Sequence, residues 1–258
     1  FGKTNINVLT LAIAYDSVAF SILISMLDKC GNSHTRERVE TMNSYVELLG
    51  EETIDCLLAD CEFVGKNWID RLNQNGIRYY IRVRENFWVE NPKNGKRFKA
   101  FWAFNDLKHG ESKVLYPIYR LNGQVCYLSA SKIIHNKVPE LQIMISLNKP
   151  ENALQYYKER WQVETAFRAL KLGGFNIEDT HLTDLRRVEK LFSIVTVAFA
   201  WAYVVGVFAN EKVGTIRSLK HGKRAKSLFK YGLELIATAL LNLIAIPEID
   251  LFNFLSCT

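Results

Sequence analysis

The first 84 residues alternate between strand-like and helix-like hydrophobic patterns, and this alternation constrains the fold more than any other feature of the chain. Residues 7–14 (NVLTLAIA) and 18–27 (VAFSILISML) are apolar, β-branched runs separated only by Tyr15-Asp16-Ser17. So short a gap predicts a hairpin with Asp16 in its turn, where an Asp side chain bonds nearby backbone. A loop at 29–33 (KCGNS) leads to a helix expected over 35–49, with Thr35 as its N-cap. Residues 54–60 (IDCLLAD) predict a short strand ending on Asp60. A helix over 65–75, closed by Gly76, and a strand over 77–84 (IRYYIRVR) follow. The resulting order, β-β-α-β-α-β, is that of an α/β layer domain.

Residues 85–149 change character. Short runs (WVEN, RFKAFWAF, KVLYPIYRL, QVCYLSASKII, LQIMISL) alternate with turn signals such as Asn94-Gly95 and Asn122-Gly123, which predicts a β-rich insertion. Pro150 then precedes a long helix over 151–171, ended by Gly173-Gly174. The remainder reads as mostly helical, so the chain divides into 1–84, 85–149 and 150–258. Leu191–Ala209 holds 19 residues without a charge, the length at which a membrane span is considered. Ser193, Thr196, Tyr203 and Gly206 interrupt it and no second comparable span exists, so a buried core helix is expected.

Composition excludes little. Apolar residues make up 48% and charged residues 23%, which is ordinary for a globular protein. The net charge of +6 leans toward a polyanionic partner without deciding the matter. The five cysteines, at 30, 56, 61, 126 and 257, are odd in number and lack paired spacing, which fits a reducing compartment and speaks against a disulfide framework. No Cys or His pair completes a zinc site with Cys56 and Cys61. The start, Phe1-Gly2-Lys3-Thr4, has neither a signal peptide nor an initiator Met and reads as though cut from a longer chain.

The helix at 151–171 is the most informative element. At about 100° per residue, Tyr157, Arg160, Glu164, Arg168 and Lys171 fall within about 80° of one another. Val163, Ala166, Phe167 and Leu170 gather on the neighbouring face. By spacing alone this is a solvated face with Arg160–Glu164 and Glu164–Arg168 ion pairs.

The identities say more than the spacing. Tyr157-x2-Arg160-x3-Glu164-x6-Lys171 resembles the Y-R-E-K signature of the IS-four (insertion sequence 4) family of bacterial transposases. Leu57-Leu58-Ala59-Asp60-Cys61-Glu62-Phe63-Val64-Gly65-Lys66 is similar to the strand end that carries the family's second catalytic aspartate. Leu27-Asp28-Lys29-Cys30-Gly31-Asn32-Ser33, followed by Thr35-Arg36-Glu37-Arg38, matches as well. The resemblance covers roughly residues 1–200.

The resemblance implies a DDE transposase with an RNase H-like α/β core, a β-rich insertion between the second aspartate and the glutamate, and a helical C-terminal region. Three carboxylates would hold two Mg2+ ions, with Mn2+ able to substitute. Two such ions stabilise the attacking and leaving oxygens of phosphodiester cleavage, and hard oxygen ligands suit them. Asp60 and Glu164 would be catalytic metal ligands. Tyr157, Arg160, Arg168 and Lys171 would contact transposon-end DNA. Trp88 and Trp102, set among Arg82, Arg84, Lys93, Lys96, Arg97 and Lys99, are expected first as strand aromatics in the insertion's core; family members that form hairpin ends hold a flipped base on such an aromatic, which either could supply. The partners implied are double-stranded DNA and a second copy of the chain in the DNA complex, with no membrane. The setting implied is the bacterial cytoplasm, at the nucleoid.

The family carries its first aspartate on a central strand just before the sequence corresponding to Phe1-Gly2-Lys3. Loss of that strand would expose sheet edges, and this chain alone is expected neither to cleave nor to join DNA. A non-catalytic remnant that binds transposon ends and a nuclease of the same superfamily are the rival readings. A second basic cluster, Arg217, Lys220, His221, Lys223, Arg224, Lys226 and Lys230, suits phosphate or a solvated loop. Asp179, His181 and Asp184 are read as structural.

Overall fold

Tyr15-Asp16-Ser17 turns the chain as its composition requires. The computed structural model describes residues 6–135, 138–172, 174–220, 222 and 224–242. In it, strands β1 (Asn7–Tyr15) and β2 (Val18–Leu27) form a two-stranded sheet. Asp16 and Ser17 take φ of 44° and 68°, the left-handed pair of a two-residue hairpin turn whose twist matches that of the strands. Asp16 is therefore a turn residue.

The described chain gathers into two compact units. One draws on Phe1–Ile13, Val18–Lys29 and Thr165–Thr258, the other on Ala14–Ser17 and Cys30–Glu164. The second is built on a seven-stranded mixed sheet. Strand β3 (Leu57–Ala59) runs parallel to β4 (Tyr79–Val83). Strand β9 (Val138–Ser146) pairs antiparallel with β4. Then come β8 (Gln124–His135), β7 (Ser112–Leu121), β5 (Trp88–Glu90) and β6 (Arg97–Lys99). The stretch at 85–149 thus adds its strands to the sheet begun by β3 and β4, and the divide between the units falls elsewhere.

Strand β4 shows why the sheet lies where it does. Tyr79, Ile81 and Val83 join one core cluster, with Trp68, Ile69 and Leu72 from helix α2 (Lys66–Gln74). Tyr80, on the opposite face, joins Met144, Ala153 and Tyr157 in another. The period of two sorts the side chains. Burial on both faces explains the near-continuous apolar run.

Several boundaries differ from the sequence expectation. Helix α1 (Thr35–Leu49) is capped by His34, whose backbone N–H donates to a Glu37 carboxylate oxygen at 2.6 Å, so Thr35 is the first helical residue. Strand β3 has three residues because Asp60 turns the backbone into a 3-10 turn at Cys61–Phe63. Trp102 lies on a 3-10 turn, Ala100–Phe104, not on a strand; Ala100 and Phe104 are buried and tighten the chain there. The helix expected over 151–171 is a run of 3-10 turn (Pro150–Asn152), α3 (Ala153–Tyr157), 3-10 turn (Lys158–Arg160) and α4 (Trp161–Leu172). Its backbone stays right-handed across Tyr157–Trp161, so the direction holds and only the hydrogen bonding tightens to the three-residue pattern.

The other unit is helical around the β1–β2 hairpin. Helix α5 (Leu185–Lys212) contains the uncharged stretch, and its length and composition would also let it cross a membrane. Here its Val188, Phe192, Val195, Phe199 and Ala202 form a core with Phe229 and Ile236 of helix α6 (Leu228–Asn242). Residues Val18, Phe20, Ile24 and Met26 of β2 pack against this core. Asp184 caps α5, its Oδ1 accepting from the Arg187 N–H at 2.9 Å.

Candidate active site

Asp60 stands one residue past the C-terminal end of β3. Its Oδ1 accepts from the Cys61 N–H at 2.7 Å and its carbonyl from the Phe63 N–H at 3.0 Å. The first bond engages Oδ1 of a side chain that is 37% exposed, and Oδ2 is the oxygen that faces Arg160. The turn is steadied from outside. Arg38, 6% exposed, lays its guanidinium 4.6 Å from the centre of the Phe63 ring and donates from Nε to the Ser33 hydroxyl at 2.8 Å. Burial lowers its pKa, against the pull of Glu62 and Glu37. The match at Thr35-Arg36-Glu37-Arg38 includes Arg38 but assigns it no role, because a charged residue inside a helix reads as solvated.

Glu164 comes from the first turn of α4. It meets Asp60 through Arg160, whose Nη2 lies 2.6 Å from Glu164 Oε1 and whose Nη1 lies 3.7 Å from Asp60 Oδ2. One guanidinium therefore faces both carboxylates, one from a strand end and one from a helix. The Arg160 side chain is only 18% exposed. Burial lowers its pKa, but Tyr157, Asp60 and Glu164 outweigh it and the net shift is upward.

Tyr157 is buried, at 4% exposure, against Tyr80, Met144 and Ala153. Burial, and then the nearby Asp60, pushes its phenol up to about 12. Its hydroxyl and the Arg160 Nε are buried without a hydrogen-bond partner among the described residues, a costly state for polar atoms.

The remaining candidates are dispersed. Arg168 is exposed and makes no ion pair among the described residues, and Lys171 pairs with Glu178 at 2.7 Å. Both lie in the other compact unit, since the divide falls between Glu164 and Thr165. Trp88 is 45% exposed, with Lys99 Nζ 4.2 Å and the Arg97 guanidinium 5.8 Å from its ring centre. Trp102 is 54% exposed and meets Phe101 edge-on. Arg82 is engaged by Glu140. His221 and Lys223 lie outside the described residues, as do Gly173, Cys257 and Phe1-Gly2-Lys3.

As a donor set, Asp60 and Glu164 offer hard carboxylate oxygens of the kind Mg2+ takes, and both are partly open to solvent. Among the described residues no group of three or more His, Cys, Asp or Glu side chains gathers as a metal site. The family model described as the transposase DDE domain matches residues 2–201. Comparison with curated proteins returns no match.

Proposed function

Because the chain belongs to the transposases that carry a DDE domain, we propose that Asp60 and Glu164 are two of the carboxylates through which such an enzyme cuts transposon ends and transfers the strands to target DNA. The mixed α/β architecture is RNase H-like, as the family's is. The observation that carries the reading is the single guanidinium of Arg160 facing a carboxylate from β3 and another from α4. Divalent ions, Mg2+ with Mn2+ as a substitute, would bind the two carboxylates and supply charge to the attacking and leaving oxygens.

The protein's own groups have distinct parts in this proposal. Asp60 presents Oδ2 because its other oxygen is occupied by the Cys61 N–H. Arg160 offsets the repulsion of two carboxylates and offers a phosphate a fork of donors. Tyr157 packs beneath Arg160, with the guanidinium 5.8 Å from its ring centre, and its unpartnered hydroxyl can bond a ligand oxygen. Arg168 and Lys171 would hold DNA phosphates, as the Y-R-E-K set of the insertion sequence 4 type implies. Trp88, flanked by Lys99 and Arg97, is the better platform for an unstacked base. A dimer engaging paired ends in the bacterial cytoplasm belongs to the same proposal.

A mobility-shift assay with transposon-end duplex, run beside a cleavage assay in Mg2+, tests the function. The chain is expected to retard the duplex, and R160A and K171A to weaken retardation. Retardation without cutting is expected where Asp60 and Glu164 act without a third carboxylate; among the described residues these two are the pair that Arg160 joins. Cutting without joined products would favour a nuclease instead. Failure to retard any duplex would overturn the proposal.

A further inference from the structure

Between Glu211 and Glu234 the chain carries seven Lys and Arg residues and no Asp or Glu. That excess is larger than the net charge of the whole molecule, +6, so the positive balance is concentrated in this stretch. The stretch is also shaped. Ser218 and Arg224 form an antiparallel bridge, the Ala225 N–H donates to the Arg217 carbonyl at 2.8 Å, and the Gly222 N–H donates to the Leu219 carbonyl at 2.9 Å. Residues 217–220 and 224–225 are therefore the paired arms of a short β-hairpin. Its base is fixed: the Ile216 N–H donates to Asn210 Oδ1 at 2.8 Å, and the Ile216 side chain is buried with Tyr203 and Leu228.

The cations on this hairpin fall into two groups. Lys226 is engaged, with Nζ 2.6 Å from Glu234 Oε2 and 4.5 Å from the centre of the Tyr231 ring. Arg217, Lys220 and Arg224 are exposed and make no ion pair among the described residues. Arg217 also lines an open cleft with Thr215, Ile216, Lys226 and Tyr231. Three unpaired cations on a braced hairpin are pre-organised for a polyanion. Among the described residues of 214–227 no large apolar side chain is exposed, so nothing there would enter a lipid layer or wedge between bases.

We propose that this hairpin binds the phosphate backbone of duplex DNA independently of base sequence. The proposal rests on DNA being the substrate, but not on Asp60 or Glu164, which belong to the other compact unit. Phosphate contacts of this kind position a protein on DNA and carry the salt dependence of its affinity.

The test is fluorescence anisotropy of the full chain with two duplexes of unrelated sequence, over a salt series in EDTA. Chelation makes the result indifferent to whether the carboxylates hold an ion. The triple variant R217A/K220A/R224A should lose at least tenfold in affinity for both duplexes alike. The slope of log affinity against log salt should become shallower by about 0.9 for each phosphate contact removed. K220Q alone should show a fraction of that loss, and the charge-conserving R217K/R224K should keep the wild-type slope. Wild-type affinity and slope in a triple variant with an unchanged thermal transition would overturn the proposal. So would a loss confined to one duplex.

Discussion

Arg160 is where the two halves of the carboxylate pair meet, and its removal should be felt in both. R160M would leave Asp60 and Glu164 facing each other without their shared cation, while Arg160 Nε ceases to be an unpartnered buried donor. The pair is partly solvated, so a destabilisation of about 1–2 kcal/mol is expected, below the cost of breaking a fully buried pair; urea denaturation of the variant measures it. Tyr157 makes a pH prediction. Its phenol is raised from 10 to about 12 in the folded chain, so the folded state binds the proton more tightly than the unfolded one. Stability is therefore unaffected below about pH 10 and falls as pH rises from about 10 through about 12. Tyr80 and Cys126, also raised to about 12, act in the same direction. The expected observation is a difference: Y157F loses less stability than the wild type between pH 10 and 12. Equal losses would show that Tyr157 is not held neutral. The contact between Asp60 and Arg160 could not be seen in the sequence. A helical wheel finds Glu164 four residues from Arg160, but no local rule joins a helix to the end of a distant strand.

Among elements, the crossing of α5 and α6 is the most exacting. A Cβ on Gly206 would come within 2.0 Å of the Leu228 carbonyl oxygen, and one on Gly232 within 1.8 Å of the Ala202 carbonyl oxygen. Both obstacles are backbone, so the helices would have to separate. G206A and G232A should each cost about 2 kcal/mol or more despite the better helix propensity of Ala. G214A, whose Cβ would sit 3.6 Å from the Tyr231 hydroxyl, should stay within about 0.5 kcal/mol of wild type. Thermal unfolding of the three variants checks the contrast. Legibility at this scale followed local chemistry. The turns at Asp16-Ser17 and Asn122-Gly123 adopt positive φ, which Asp, Asn and Gly tolerate better than most residues, and the strands flanking them lie where the alternation places them. What was missed depended on tertiary context. The 3-10 turn at Lys158–Arg160 departs from the uniform 100° step on which the wheel relies. Trp102 sits in a 3-10 turn tightened by the burial of Ala100 and Phe104, and β3 stops early because Asp60 caps the turn that follows.

For the whole molecule, the DDE transposase family and the α/β fold class were readable in the sequence, and the family match over residues 2–201 and the mixed sheet agree with them. The pairing of β4 with β9, which joins residues 57–83 to 85–146 in one sheet, is marked by no local sequence signal. In the proposed site Asp60 and Glu164 together hold a divalent ion. Titration of the full chain with Mn2+, followed by electron paramagnetic resonance, tests it most directly in wild type, D60N and E164Q. A bound fraction is expected in the wild type and at least a tenfold weakening in each variant, with folding unchanged. Equal Mn2+ binding by all three chains would contradict it.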